Sequence, residues 1–297
     1  MALNLKLKLQ AQLTGPALAA ITRLDVSGNA LSELPGCVFA SLPSLRLLAA
    51  GQNKLATLPD VVSAPLLEEL QLQDNRLETV PGTLFQLPSL HTLDLSNNKL
   101  QVQETYAPEG PGSGCPLSSL NLSHNAFERL PPMLACRSPH LARLNLSYNG
   151  LASPGELRFY PVSLRHLDLS SNRLAVWWLP ATSDTTCAAT GGSCLHRSHW
   201  RLENLRTLLL ASNQLPGLQG LVGQQDGSDS KLGSLSVLNL SGNPGIIELP
   251  PQLGLLSKLW NLNLRGCSLH EPLASMVRST RYRTTDLVGY LKSILQE

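Results

Sequence analysis

The chain has 297 residues, a formal net charge of +2 at pH 7, and a composition that is 42% hydrophobic. That small charge argues against nucleic acid as the main ligand, because nucleic-acid-binding domains usually carry a strong basic stripe. No stretch of about 18 consecutive apolar residues occurs, so the sequence predicts no membrane span. Only 4% of the residues are aromatic, so leucine must supply most of the core.

The first segment, residues 1–20, alternates leucine with other residues between Leu3 and Leu9. We expect it to be an incomplete coil or a cut end, because no polar cap is present and an uncapped array exposes its leucines to water. This suggests that the chain is a piece of something longer. Lys6 and Lys8 interrupt the apolar pattern, so we predict no secretory signal peptide.

From residue 21 onward, one frame of leucines recurs. In residues 90–100, Leu93 and Leu95 alternate as in a strand and Asn98 follows, giving the spacing L-x-x-L-x-L-x-x-N-x-L. This is the frame of a leucine-rich repeat, in which each coil carries a short strand and its leucines point into a shared interior. Nine frames close on asparagine: Asn29, Asn53, Asn75, Asn98, Asn125, Asn149, Asn172, Asn213 and Asn243. Cys267 closes a tenth.

These frames predict an α/β solenoid, a leucine-rich repeat horseshoe over residues 21–271 with about ten short parallel strands. The second halves of the coils contain Leu-Pro pairs such as Leu34-Pro35 and Leu87-Pro88. Because proline lacks a backbone donor, we predict a mostly irregular or 3-10 convex side. A buried amide needs partners for its donors and its acceptor, so we interpret the nine asparagines as a structural ladder rather than as binding residues.

Three insertions interrupt the frames, near residues 102–115, 175–201 and 217–233. Each follows a strand and its asparagine, so we expect all three to leave the strand side clear. The second contains residue types that bind zinc. These are Cys187, Cys194, His196 and His199. Their spacing, C-x6-C-x-H-x2-H, differs from the usual paired steps of a zinc site, so we favour a solvated loop, with zinc as the alternative.

Side chains between the inward leucines should point outward and form a polar concave face that binds proteins. Its predicted members are Arg23, Asp25, Glu69, Gln71, Asp94, Asn121, Arg143, Asn145, His166 and Asp168. Charge varies along it, with Glu68 in the third coil and Arg165 and Arg206 in the seventh and eighth. Ordinary solubility and a partner-facing groove both remain open as explanations. The face lacks the aromatic anchors that dominate tight interfaces.

Two features bear on the cellular compartment. Asn121, Asn145 and Asn239 each begin Asn-Leu-Ser, a glycosylation acceptor, but the repeat frame itself produces this sequence. The six cysteines are scattered rather than gathered into end caps. We therefore favour reduced cysteines and a cytoplasmic location.

Residues 272–297 are predicted to form a cap or junction helix. Leu287 and Leu291 fall at helical spacing, Thr284 or Thr285 can cap the start, and Asp286 suits the positive first turn. We expect the apolar side of the helix to pack on the tenth coil. The expected contacts are Leu262, Leu264 and Leu269.

The tail EPLASMVRSTRYRTTDLVGYLKSIL, from Glu271 to Leu295, resembles the junction that follows the repeats in Roco-family leucine-rich repeat protein kinases. In that family a Ras-like GTPase domain, a dimerising linker and a Ser/Thr kinase domain follow, and the proteins act in cytoplasmic and endosomal signalling. The resemblance implies a fragment or short isoform that stops before the GTPase. It also implies that the parent's GTPase and kinase domains are candidate partners, and that ATP, magnesium and GTP are cofactors of the parent alone.

The chain contains no kinase signature and no P-loop, so no catalytic, cofactor-binding or metal residue carries over from that family. We expect a monomeric, non-catalytic scaffold for protein partners in intracellular signalling. The alternatives are an extracellular recognition array and a free-standing regulatory subunit of a phosphatase or small GTPase.

Overall fold

The computed structural model describes residues 18–101, 115–130, 138–154, 160–176, 202–218, 232–279 and 282–296. The chain divides into two compact units. Unit 1 comprises Met1–Phe127, Pro131–Leu141 and Thr186–Cys194, and unit 2 comprises Glu128–Leu130, Ala142–Thr185 and Leu195–Glu297. Each unit is built from coils of the predicted frame.

Among its described residues, each unit carries five strands of three residues, paired in parallel with their neighbours in sequence order. Those of unit 1 are β1 (Arg23–Asp25), β2 (Leu47–Ala49), β3 (Glu69–Gln71), β4 (Thr92–Asp94) and β5 (Ser119–Asn121). Those of unit 2 are β6 (Arg143–Asn145), β7 (His166–Asp168), β8 (Thr207–Leu209), β9 (Val237–Asn239) and β10 (Asn261–Asn263). The predicted parallel solenoid is confirmed in each unit.

The register explains why leucine recurs. Leu70 pairs with Leu48 and Leu93, and in unit 2 Leu208 pairs with Leu167 and Leu238. The middle residue of a three-residue strand points opposite to its neighbours, so these leucines are buried and the flanking side chains turn outward. We call the outward side chains of the strands, with the residue just before each strand, the strand face.

The second halves of the coils are short and irregular, as their prolines predict. The described examples are the 3-10 helices Gly82–Gln86 and Pro251–Leu255 and the α-helix α1 (Cys37–Ser41). Between strand and second half, the residue that precedes the closing asparagine adopts a left-handed conformation, with φ of 54° at Gln52 and 70° at Gly242. This turn reverses the chain at the same point in every coil.

Two helices follow β10: α2 (Leu273–Arg278) and α3 (Thr284–Ile294). The helix α3 was predicted and exists, and it packs against the 3-10 helix Pro251–Leu255. The two backbones approach so closely at Gly254 that a Cβ there would lie 2.5 Å from the Lys292 nitrogen. Leu287 and Leu291 are fully buried in this contact.

Two details of the predicted cap are wrong. Thr284 is the first residue of the helix and makes no side-chain cap, because its Oγ1 accepts a hydrogen bond of 3.0 Å from the Leu262 N–H. Leu264 and Leu269 line a cavity of about 600 Å³ with Ala274 and Val277 of α2, whereas α3 packs on the 3-10 helix of the ninth coil, which precedes β10. The predicted contact at Leu262 exists, because Thr284 and Tyr282 both hydrogen-bond its backbone. Asp286 lies in the first turn, as predicted.

Several predictions fall wholly or largely outside the described residues. They concern the end segment 1–17 and most of the insertions, at 102–114, 177–201 and 219–231. In the described parts of the chain, no helix has both the length and the apolar character needed to cross a bilayer.

Candidate functional site

The strand face stands on a ladder of asparagine side chains. Asn75 shows the pattern: its Nδ2 donates to the carbonyls of Ala50 in the preceding coil and of Leu72 in its own, both at 3.0 Å. Its Oδ1 accepts from the Leu55 N–H, also at 3.0 Å. The amide therefore joins neighbouring coils and leaves no buried polar group without a partner.

The same hydrogen bonds recur at Asn53, Asn98 and Asn125 in unit 1 and at Asn172, Asn213 and Asn243 in unit 2. Asn149 donates to Leu146 and Ser147 of its own coil. Asn29 is exposed and bonds Val26 and Ser27 of its own coil. In the tenth frame the Cys267 thiol donates one bond, to the Leu240 carbonyl at 3.3 Å, whereas the Asn243 side chain donates three and accepts one.

A second set of bonds closes the ends of seven strands, those that end in aspartate or asparagine. At Asp94, Oδ1 accepts from the backbone N–H of Ser96 at 2.9 Å and from its hydroxyl at 2.7 Å. Asp25, Asn121, Asn145, Asp168, Asn239 and Asn263 accept from the backbone N–H two residues later in the same way. At Asp25 the hydrogen bonds from Ser27 lower the carboxyl pKa below its ordinary value. These predicted face residues therefore also hold turns, through one side-chain oxygen each.

The strand face of unit 1 is largely paired within itself. Arg46 forms an ion pair with Glu68 of the next coil. The Gln71 amide donates to Glu69 at 2.6 Å, and the Asn121 amide donates to Asp94 Oδ2 at 3.2 Å. Most of the predicted face residues of this unit thus already have a side-chain partner.

The strand face of unit 2 differs. Arg143 and His166 are direct partners in the β6–β7 register, and Arg165 and Arg206 stand just before β7 and β8. All four side chains are exposed. We call these four residues the basic cluster. Sequence reasoning identified these charges, but not that no described carboxylate forms an ion pair with the three arginines, which depends on the packing of neighbouring coils.

One exposed aromatic residue was missed. Trp260 stands just before β10, in the same row as Arg165 and Arg206, and 65% of its surface is exposed. The prediction used this row for its charges, Glu68, Arg165 and Arg206, but not for Trp260, so its statement that the face lacks aromatic anchors is wrong at Trp260. The position of Trp260 in the leucine frame, which matches that of Arg165 and Arg206, could have identified it from the sequence.

The structure does not test the alternative of a zinc site, because its residues lie outside the described part of the chain: Cys187, Cys194, His196 and His199. Among the residues that are described, no three His, Cys, Asp or Glu side chains are grouped closely enough to hold a metal ion. Burial raises the pKa of the Cys115 thiol to about 11, so this cysteine is not a reactive thiolate at neutral pH.

Comparison with protein-family models identifies the nature of the repeated leucine frames. Models of the leucine rich repeat match residues 65–107, 137–155 and 163–183. These segments are leucine-rich repeats. They underlie parts of both units, including β4, β6 and β7.

Two similar proteins differ in kind. Leucine-rich repeat serine/threonine-protein kinase 1 of Caenorhabditis elegans is 32% identical over 95% of this chain, which spans 18% of that protein. Tsukushi of Rattus norvegicus is 31% identical over 88% of this chain, which spans 62% of that protein. The repeats are thus similar both to those of a protein kinase and to those of Tsukushi. The chain spans less than two thirds of the length of either protein.

Solved structures support the fold. The leucine-rich repeat domain of APL1B superposes with a TM-score of 0.62 at 22% identity, covering 84% of this chain and 65% of that one. At that identity the likeness concerns the fold alone.

Proposed function

We propose that this chain is a non-catalytic protein-interaction segment of a Roco-type serine/threonine kinase and that its partners bind the strand faces. The observation that carries the proposal is the construction of those faces. Inward leucines and the asparagine ladder supply the packing, so the outward side chains form a preorganised surface. A fixed surface loses little conformational entropy when a partner binds.

The kinase context rests on the worm relative, whose similarity extends over 95% of this chain. In this proposal the parent supplies the kinase and GTPase activities with their ATP, magnesium and GTP. The chain itself acts in the cytoplasm or at endosomes, recruiting partners or contacting the parent's own GTPase and kinase domains.

Photo-crosslinking tests which surface is used. Benzoylphenylalanine placed at Thr92 or Thr207 lies on a strand face, whereas the same residue at Gln86 or Ser257 lies on the second half of a coil, at an exposed position. In living cells that express the chain, we expect discrete protein adducts from the strand-face positions and few from the other two. Equal adducts from all four positions, or none from Thr92 and Thr207, would contradict the proposal.

An extracellular recognition array is the second candidate function. The Asn-Leu-Ser sequences at Asn121, Asn145 and Asn239 favour it. Mass spectrometry of the native protein separates the two candidates, because a glycan on any of these asparagines places the chain in the secretory pathway. For the kinase segment, we expect all three asparagines to carry no glycan.

A further inference from the structure

Four cationic or ionisable side chains converge on the strand face of unit 2. Arg143 is the register partner of His166. The Arg165 N–H bonds the Ala142 carbonyl at 2.8 Å, and the Arg206 N–H bonds the Arg165 carbonyl at 2.9 Å. The basic cluster therefore spans three neighbouring coils, one strand spacing of about 4.8 Å apart.

No carboxylate among the described residues forms an ion pair with Arg143, Arg165 or Arg206. The acidic residue of the same strands, Asp168, accepts a hydrogen bond at Oδ1 from the Ser170 N–H. Burial, and then the charges of the three arginines, lower the pKa of His166 below its ordinary value of 6.5, so the guanidinium groups act on the same small region. Like charges on adjacent strands destabilise a sheet, and a bound anion relieves that repulsion.

Beyond the basic cluster, the same face carries two apolar side chains, Val237 and Trp260, among polar ones. Val237 is the register partner of Thr207, and the Trp260 N–H bonds the carbonyl of Ser236, whose own N–H bonds the carbonyl of Arg206 at 2.8 Å. Trp260 is therefore two coils from Arg206, about 10 Å along the face. Exposed tryptophan is a common anchor at protein interfaces.

From this juxtaposition we propose that the strand face of unit 2 binds an acidic peptide segment of a partner protein. Carboxylate or phosphate groups of the peptide lie against Arg143, Arg165 and Arg206, and an apolar side chain packs on Trp260. This inference rests on the proposed function and specifies the chemistry of the partner. Guanidinium suits both anions because its planar fork donates two parallel hydrogen bonds.

Single-stranded nucleic acid fits the face less well. Its binding sites combine a basic groove that follows the backbone with successive aromatic platforms for the bases. Here the charges end after three coils, and Trp260 is the one exposed aromatic residue among the described residues of unit 2's strand face. Nucleic acid is therefore an outcome that the experiment must separate.

Fluorescence anisotropy on the full chain provides the test. The probes are a short labelled peptide with a run of glutamates followed by leucine and phenylalanine, the same peptide with phosphoserines, and one with glutamines. We expect binding of the first two peptides and not of the third. The double variant Arg165→Gln/Arg206→Gln should weaken binding about tenfold, which corresponds to about 1.4 kcal/mol.

A matched control removes equal charge elsewhere in unit 2. The double variant Arg173→Gln/Lys258→Gln changes two exposed residues outside the basic cluster and should leave the affinity unchanged. Melting curves should show no loss of stability in either double variant, because all four positions are exposed, and Arg165→Gln/Arg206→Gln should gain slightly because it removes repulsion. Equal loss in the two double variants would overturn the proposal, since it would show a general effect of charge.

Tryptophan fluorescence tests the role of Trp260. The emission spectrum of the wild type minus that of Trp260→Phe gives the contribution of Trp260, and we expect peptide binding to change this contribution. Failure of the acidic peptides to bind, unchanged affinity in Arg165→Gln/Arg206→Gln, or tighter binding of a single-stranded oligonucleotide of equal charge would each overturn the proposal. The crosslinking at Thr92 and Thr207 would remain a separate result, so the failure of this inference is distinguishable from the failure of the proposed function.

Discussion

The two units have similar interiors and different strand faces. In unit 1, Arg46 pairs with Glu68, and Gln71 with Glu69. In unit 2, the arginines of the basic cluster have no acidic partner among the described residues, and Trp260 is exposed two coils further along. The repeat thus separates stability, which depends on inward leucine and asparagine, from recognition, which varies with the outward positions.

The largest expected effect tests the similarity of the interiors. Leu93 and Leu167 are each 1% exposed at the centre of β4 and β7. Leu93→Ala and Leu167→Ala should each lower the free energy of unfolding by about 2–5 kcal/mol, because a cavity remains in a packed core. Urea unfolding measures this. The outward controls Thr92→Ala and Thr207→Ala should change it by less than about 0.5 kcal/mol, and comparable losses from inward and outward changes would contradict the register.

A smaller effect concerns the helix that packs on unit 2. Gly254→Ala should destabilise by about 1–3 kcal/mol, since the added methyl group meets the backbone of α3. Gly289→Ala, within α3 itself, has open space around its Cβ and should stabilise by about 0.5–1 kcal/mol. Thermal melts of the two variants should shift in opposite directions. A shift of the same sign in both would refute the close packing of α3 on this coil.

The contrast in charge predicts opposite signs for two similar substitutions. Arg46→Gln removes an ion pair between half-exposed side chains and should lower stability by less than about 1 kcal/mol. Arg165→Gln removes repulsion and should raise stability by a few tenths of a kcal/mol. Both changes should diminish at high salt, which screens exposed charges. Denaturant melts at low and high salt measure them, and a loss of stability in Arg165→Gln would show that this residue has a partner.

The smallest effect is electrostatic and concerns His166. Because its folded pKa is lowered, the stability that the neutral ring contributes is complete above pH 6.5 and is lost as the pH falls below it. Arg143→Gln should raise the pKa of His166, and Arg173→Gln should leave it unchanged. An NMR titration of the His166 ring measures both. Equal titration curves in wild type and Arg143→Gln would mean that the Arg143 charge does not act on this ring.

The fold was largely predictable because one frame encodes both strand alternation and turn. Leu93, Leu95 and Asn98 specify which side chains enter the core, and the frame repeats. The start of α3 was not predictable in detail. Thr284 favours a capping role by itself, but its hydroxyl instead accepts from the Leu262 N–H, a partner that only tertiary packing supplies.

The strand face was predictable in position and not in chemistry. Outward placement of Arg143 and His166 follows from the period of two along a strand. Whether an arginine finds a carboxylate depends on what the neighbouring coil places beside it: Arg46 has Glu68 there, whereas Arg206 follows Arg165. Comparing the residue just before the strand in successive coils would have revealed Trp260 in the same row as Arg165 and Arg206.

The end of the unit 2 sheet has a consequence for assembly. An edge strand offers unpaired N–H and C=O groups that a second molecule can use to extend the sheet. At the centre of β10 these groups are occupied, because the Leu262 N–H bonds Thr284 Oγ1 and the Leu262 carbonyl accepts from the Tyr282 hydroxyl, each at 3.0 Å. Two hydroxyl groups thus stand where another strand would pair, and they disfavour end-to-end polymerisation of the protein through this edge.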